Sequence, residues 1–297
     1  MSSLPILFVG TYKHESGDLP YLEDSVQQAR KFDNDIILLG QPTPYVDQQF
    51  YIEEYEESAK GFDQVYKHMT FNEFKREIMA FRRWFIVRDF MVKEGIDRLF
   101  LCENDVLLFC NVAEATKGFS GSALSSPLEQ QKYEWCSSGH CALWELSDLE
   151  ALCDLSIRYY TEKISVLEEK WDFHQQNQVA GGICDMTLLY FLTQEHPIEN
   201  LNALQDNSFF DHNISVSRNA YEHEYAMDFC RIKKVRSIGG QYCSYNLKSQ
   251  RWVKANSLHF SGAAKQFIPY FAKSPWTANL FLRLLMVTCT KLRDKIK

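Results

Sequence analysis

The chain has 297 residues, 45% of them apolar, 14% aromatic and 24% charged, with a formal net charge of −7. This apolar share, with only 13 Gly and 8 Pro, excludes a disordered or collagen-like chain, and the length suits one large domain or two small ones. The acidic balance also argues against wrapping duplex nucleic acid, which depends on clustered Lys and Arg releasing counterions, so no nucleic-acid partner is expected.

In chain order, residues 4–9 are a short apolar run closed by Gly10 and Thr11. No positive segment precedes it, so it reads as a first strand and not as a leader. A helical pattern over 19–32 leads to a second apolar run within 35–40, closed by Gly40 and Pro42. Continuous apolar runs alternating with helices are what strands buried on both faces of a parallel sheet look like. Over 70–93, Phe74, Ile78, Phe81, Phe85 and Val92 recur at helical spacing, with Arg82, Arg83 and Arg88 among them, and Gly95 ends the helix. Residues 99–102 begin a third strand that runs through Glu103-Asn104-Asp105 into 106–109. Two carboxylates thus stand at the carboxyl end of a central strand, the edge at which open α/β sheets bind ligands.

Further on, 141–144 reads as a short strand and 147–163 as a helix with Ser147 and Glu150 as a capping box. Gly181-Gly182 reads as a loop feeding a helix within 183–192. Residues 211–213 form a polar connection, 254–262 carries His259 and Gly262, and 259–265 reads as a loop. One domain is expected over 1–265, followed by a helical amphipathic extension over 266–297. The nine cysteines lie mostly in apolar runs, as small buried thiols do. Cys136, His140 and Cys141 have a zinc-like spacing but no second ligand pair. Unpaired thiols and the lack of an export signal point to a reducing cytoplasm, and the apolar stretch 276–289 is too short for the ~20 residues of a spanning helix.

Glu103-Asn104-Asp105 offers carboxylates to a hard divalent cation, Mg²⁺ or Mn²⁺, that keeps sites for phosphate; such residues also favour an Asx turn at a strand end. Later in the chain His259, Gly262 and Lys265 stand at fixed offsets. The imidazole suits a cation's ligand shell, the glycine lets backbone approach a diphosphate, and the ammonium neutralises its charge. A buried His, a turn Gly and a surface Lys are the plainer readings of the same residues.

Together these segments resemble the GT-A glycosyltransferases, especially the glycogenin and lipopolysaccharide-galactosyltransferase family. The resemblance runs from residue 4 to about 265 and rests on the strand 99–102 with Glu103-Asn104-Asp105, the Gly181-Gly182 to Asp185 segment, and His259-x-x-Gly262-x-x-Lys265 about 150 residues after the acidic triplet. It implies a Rossmann-like α/β fold, with a mixed, mainly parallel central sheet flanked by helices and a helical C-terminal tail. It implies that Asp105, His259 and Glu103 hold Mn²⁺ or Mg²⁺ on a nucleotide-sugar donor, with Gly262 and Lys265 closing over its phosphates. Two departures stand out. The first acidic position is Glu103 where the family has Asp, one methylene longer, which also suits a sugar or ribose hydroxyl. Lys265 is followed by Gln266-Phe267 where the family usually has Pro-Trp.

By the same resemblance Gly10, Thr11 and Tyr12 hold the nucleotide base and ribose, Tyr12 either stacking on a uracil or serving as a turn tyrosine. Glu103 and Asn104 belong with the donor-binding residues. Arg82 or Arg83 faces the donor; helical positions one apart point about 100° away from each other, and Arg82 is the better placed at the edge of the apolar stripe. Asp185 is the catalytic candidate, hydrogen-bonding donor-sugar hydroxyls on the acceptor side, or else a helix N-cap. His140 is placed near the acceptor.

The expected activity is transfer of a hexosyl group from a UDP-sugar to a hydroxyl of a carbohydrate or glycolipid acceptor. The resemblance to the galactosyltransferase branch implies retention of configuration, whereas an inverting relative would need a carboxylate base, for which Asp185 is the obvious choice. A sugar nucleotidyltransferase is the alternative enzyme, disfavoured because residues 10–17 contain only two glycines. A non-catalytic carbohydrate- or nucleotide-binding protein with a decayed metal site is the other, favoured by Glu103 alone. The extension carries Trp276, Leu280, Leu284 and Val287 before a basic end at 291–297. This suits a helix lying on the inner face of an anionic membrane, one docked on the domain, or one pairing in a homodimer.

Overall fold

The structure, a computed structural model, describes residues 4–10, 21–126, 130–216, 223–228 and 231–273. They group into two compact units, each drawing on separate stretches of chain. The first unit takes residues 4–10, Asn34–Glu103 and Val112–Leu201; the second takes 21–33, Asn104–Asn111 and 202–273.

The first unit is built on a seven-stranded sheet in the spatial order Gln48–Phe50, Ile36–Leu39, Ile6–Val9, Arg98–Cys102, Ser138–Glu145, Ala123–Ser125, Glu199–Asn200. Only Ser138–Glu145 runs against its neighbours, so the sheet is mixed and mainly parallel, as expected. Ile6, Leu7, Phe8 and all of Ile36–Leu39 are buried, which is why these strands read as unbroken apolar runs. Helix Phe74–Glu94 packs against helices Glu57–Asp63, Leu146–Thr161 and Asp185–Glu195. With several packing partners it buries four successive residues, 84–87, while Phe74 and Val92 near its ends are exposed. The single apolar stripe expected for it is therefore corrected. Gly95 ends it at φ 65°, its N–H turned back to the last-turn carbonyls.

Two other local readings are corrected. Helix Leu146–Thr161 begins one residue before Ser147, and Glu145 stands at its N-cap without a side-chain hydrogen bond, so the capping box is not formed. The expected strand 141–144 is eight residues long because Arg98–Cys102 pairs along it from Glu145 to Cys141 on one side and Ala123–Ser125 carries the pairing to Ser138 on the other. Helix Ile164–Gln176 follows Leu146–Thr161 after a two-residue break that the sequence reading passed over.

The second unit carries a four-stranded sheet in the order Val235–Ile238, Gln241–Asn246, Arg251–Ala255, Ser208–Phe209, and an antiparallel ladder of Val106–Leu108 with Ser257–His259. Gly239 and Gly240, at φ 59° and 79°, make the two-residue turn between the first two strands, a conformation that favours glycine. Leu107, Phe109, Phe209, Val253, Leu258 and Phe260 are among its core. Past Lys265 the chain continues in this unit as a 3-10 turn Gly262–Phe267 and helix Ile268–Lys273, which packs on helix Leu22–Arg30. Residues 274–297, on which the membrane or dimer reading of the extension depends, lie outside the described residues, as do Thr11 and Tyr12. No helix of the described residues is long and apolar enough to cross a membrane. The seven described cysteines are free thiols.

Candidate functional site

In the second unit the ladder sets His259 opposite Val106, and the Phe260 N–H donates to the Asp105 carbonyl at 2.9 Å. His259 therefore stands at the end of strand Ser257–His259 and not in the loop expected for 259–265. Strand pairing brings together two residues far apart in the chain. Lys265 Nζ lies 2.9 Å from Asp105 Oδ2, and His259 Nε2 lies 3.7 Å from Asp105 Oδ1, an ion-pair distance too long for a hydrogen bond. His259 Nδ1 is 2.6 Å from the His212 carbonyl oxygen. A carbonyl only accepts, so Nδ1 carries the proton and Nε2 is the nitrogen presented to Asp105.

Asp105 is buried, and its Oδ1 has no hydrogen-bond partner among the described residues. Burial pushes its carboxyl up, but His259 and Lys265 outweigh this and hold it below the usual carboxylate range. A buried carboxylate oxygen without a donor is costly. A carboxylate and an imidazole nitrogen turned toward each other are the donor types that Mn²⁺ accepts, so these residues fit a divalent cation. Gly262 sits at φ 58°, where nothing would touch an added Cβ; the left-handed backbone alone favours glycine as the chain turns toward Lys265. Asn104 is fixed through its carbonyl, which accepts from Ser25 Oγ at 2.8 Å.

In the first unit a guanidinium organises the acidic groups. Arg83 donates to Glu103 Oε1 at 2.5 Å and to Asp185 Oδ2 at 3.1 Å, and stacks over the Trp84 ring at 4.5 Å. Trp84 Nε1 donates to the same Asp185 oxygen at 3.1 Å, while the Met186 N–H donates to the other at 2.9 Å. Arg82, the position preferred from the sequence, instead turns to Glu56 at 3.1 Å and Asp63 at 3.7 Å. The correction follows from the packing: with partners on several sides, the helix has no single edge from which to judge where Arg82 points.

Asp185 is the first residue of helix Asp185–Glu195 and Cys184 is its N-cap, so the N-cap reading of Asp185 is one residue off. Burial pushes the Asp185 carboxyl up; Arg83 pulls it down, Glu103 adds to the rise, and the net direction is upward. Glu77, also buried, is raised by burial against the pull of Asn72, with Asp185 adding to the rise. The approach to Asp185 needs glycine at Gly182: φ is 143°, and a Cβ there would lie 2.5 Å from the Met69 carbonyl oxygen.

His140 is buried in strand Ser138–Glu145, its ring on Ser138 Oγ at 2.9 Å, and its carbonyl accepts the Glu103 N–H at 2.8 Å. Its visible role is to fix the Glu103 backbone. Gly10 donates to the Leu39 carbonyl at 2.9 Å, and Gly40 approaches it so closely that a Cβ there would lie 3.1 Å from Gly10 Cα. Trp84, Glu77, Asp211 and Lys233 also bear on these groups, and the sequence reading gave none of them a role. Only the folded chain shows how closely Trp84 is held: an added Cβ at Gly139 would sit 2.3 Å from its ring.

No family model matches the chain, and no curated protein matches it. Among solved structures it is similar to the galactosyltransferase LgtC in complex with donor and acceptor sugar analogs, with 13% identity, coverage of 91% of this chain and 95% of that one, and a TM-score of 0.46. It is similar to mouse xyloside xylosyltransferase 1 in its apo form, with 10% identity, coverage of 70% and 87%, and a TM-score of 0.43. It is also similar to the bifunctional glycosyltransferase WbbM in its apo form, with 11% identity, coverage of 95% of this chain and 52% of that one, and a TM-score of 0.45. All three are glycosyltransferases by name, the class that the motifs resemble.

Proposed function

We propose that the protein is a metal-dependent glycosyltransferase that moves a hexosyl group from a UDP-sugar to a hydroxyl of a carbohydrate or glycolipid acceptor. The observation that carries this reading is the Asp105, His259 and Lys265 group, in which a donor-less carboxylate oxygen and a ring nitrogen of set tautomer face each other beside a lysine. Asp105 and His259 hold Mn²⁺ or Mg²⁺, and Glu103 is either a further ligand or a contact to sugar or ribose hydroxyls. The bound cation supplies Lewis-acid stabilisation of the negative charge on the departing diphosphate. Lys265 leaves Asp105 for the phosphates and adds preorganised positive charge there, with Gly262 allowing the backbone to approach. Gly10, Thr11, Tyr12 and Asn104 hold the nucleoside.

Asp185 receives three donors, from Arg83, Trp84 and Met186. A carboxylate so held is fixed in place to orient sugar hydroxyls, and retention of configuration is carried over from the resemblance to the galactosyltransferase branch. In the transfer the anomeric C–O bond to the diphosphate breaks, the acceptor oxygen forms the new bond, and the acceptor proton leaves on the diphosphate.

The test is a screen of nucleotide sugars for hydrolysis or transfer with Mn²⁺, Mg²⁺ or EDTA. Asp105→Ala and His259→Ala each lower the metal-dependent rate by at least about 100-fold, since losing a ligand costs no less than losing one of its outer-shell partners. If neither substitution lowers Mn²⁺-dependent turnover of any nucleotide sugar, the metal site is misassigned.

A further inference from the structure

His259 is held at three points by one short segment, residues 211–214. Asp211 Oδ2 accepts the His259 N–H at 3.1 Å, the Ile214 N–H donates to the His259 carbonyl at 2.8 Å, and the His212 carbonyl takes the ring Nδ1 proton at 2.6 Å. The Asp211 N–H is itself tied to Ser257 Oγ at 2.9 Å, on the same strand as His259.

Lys233 anchors that segment as well, through both its side chain and its backbone. Lys233 Nζ pairs with Asp211 Oδ1, both side chains are fully buried, and the Lys233 N–H donates to the Ile214 carbonyl at 2.7 Å. The Lys233 ammonium also lies 4.7 Å from the centre of the Tyr225 ring and 5.7 Å from that of Phe209. A buried ion pair is poor value for stability, because apolar residues of similar volume often stabilise as much or more; its best-attested use is to specify one arrangement. Here the arrangement it specifies is the backbone and ring of His259.

We propose that Asp211 and Lys233 are positioning residues for His259: the buried pair locks the 211–214 segment so that His259 keeps its Nδ1 proton on the His212 carbonyl and turns Nε2 toward Asp105. This extends the reading of His259 as a metal ligand and rests on it for its consequence in metal affinity; the ring tautomer is a separate observable. Partners of a ligating histidine's other ring nitrogen commonly set its tautomer and orientation, and losing them costs metal affinity. In this chain the partner is a carbonyl, which cannot be mutated directly, so control passes to the side chains that fix that stretch of backbone.

The test uses the full-length protein and Asp211→Asn/Lys233→Met, which removes both charges and leaves neither buried alone, with Ser257→Ala as a milder loosening of the same segment. Side-chain ¹⁵N spectra recorded above the imidazole titration range, with the His259 signals identified by their loss in His259→Gln, report the tautomer. Mn²⁺ titration followed by paramagnetic resonance reports affinity, and near-ultraviolet circular dichroism reports folding. The wild type shows the Nδ1–H form; the folded double variant populates Nε2–H and binds Mn²⁺ about tenfold to a hundredfold more weakly. An Nε2–H form in the wild type overturns the proposal, whether or not the variants fold. So does a variant with a lower melting temperature but unchanged tautomer and Mn²⁺ affinity. If the wild type binds no Mn²⁺ while the tautomer still depends on the pair, the positioning role stands and the metal reading of His259 falls.

Discussion

Lys265 pairs with the Asp105 oxygen beside the one that faces His259, and so competes with a metal for the charge of the same carboxylate. Nζ lies 2.9 Å from Oδ2, with the lysine side chain 41% exposed and that of Asp105 5%. Because the ammonium is open to water, the aqueous limit sets the scale of their attraction: unit charges at this distance interact by about 1.4 kcal/mol at the dielectric constant of water, about tenfold in an equilibrium constant. A divalent cation arriving at Asp105 Oδ1 meets a carboxylate whose charge the ammonium on Oδ2 already partly neutralises. Lys265→Met keeps most of the aliphatic stem and removes the competing charge, so it raises Mn²⁺ affinity by about tenfold when no nucleotide is bound. In the presence of a nucleoside diphosphate the sign reverses. The ammonium then serves the phosphates, so the same substitution weakens UDP binding at saturating Mn²⁺ by about the same factor. Paramagnetic resonance titration of Mn²⁺ alone, and calorimetric titration of UDP with Mn²⁺ present, measure the two arms separately. Lower or unchanged Mn²⁺ affinity in nucleotide-free Lys265→Met would refute the idea that this lysine competes with the metal for Asp105.

Three further outcomes follow from the first unit. Gly182→Ala forces a side chain into a left-handed backbone and against the Met69 carbonyl, and is expected to cost about 3 kcal/mol or more in urea denaturation; a loss below about 1 kcal/mol would show that this loop yields freely. Arg83→Lys replaces a fork that reaches both Glu103 and Asp185 with a single ammonium, and raises the KM for the sugar nucleotide by about tenfold, whereas Arg82→Lys leaves it unchanged. Glu77 has a raised carboxyl pKa, set chiefly by burial. Its ionised form therefore weakens the fold progressively as pH rises from the ordinary carboxylate value through the raised one, and below that window the penalty is absent. Glu77→Gln, which keeps an acceptor for Asn72, raises the melting temperature at neutral pH and brings no gain in acid; equal destabilisation at both would contradict the burial account.

Local pattern made much of the first unit legible. Strands Ile6–Val9 and Ile36–Leu39, and residues 99–102 of Arg98–Cys102, are unbroken apolar runs because both faces of the sheet are covered, and Gly95 marks a helix end because a left-handed residue closes it there. The second unit was harder to read. Gly239-Gly240 was a hairpin signal in plain view, but Ser208–Phe209 has only two residues and pairs with Arg251–Ala255, so no periodicity announces it.

The candidate site divides in the same way. The kinds of residue it uses were set by the sequence: an acidic triplet after a strand, then His259, Gly262 and Lys265 in fixed order. Their arrangement was decided by contacts between residues far apart in the chain. The register that sets His259 against Val106 turned an expected loop into a strand and brought the imidazole to Asp105. Packing of helix Phe74–Glu94 on several partners, and not the spacing of its apolar residues, aimed Arg83 at Glu103 and Asp185 and sent Arg82 to Glu56. Asp211 and Lys233, 22 positions apart, carry no motif and become a pair only when burial removes water from both and leaves each the other's charge as partner. Sequence by itself determines which chemistry the chain can offer, since side-chain type and local backbone preference travel with the residue. Which of those groups meet, and in what tautomer and orientation, is decided by tertiary structure, because it depends on register, packing and desolvation, none of which is a property of neighbours in the chain.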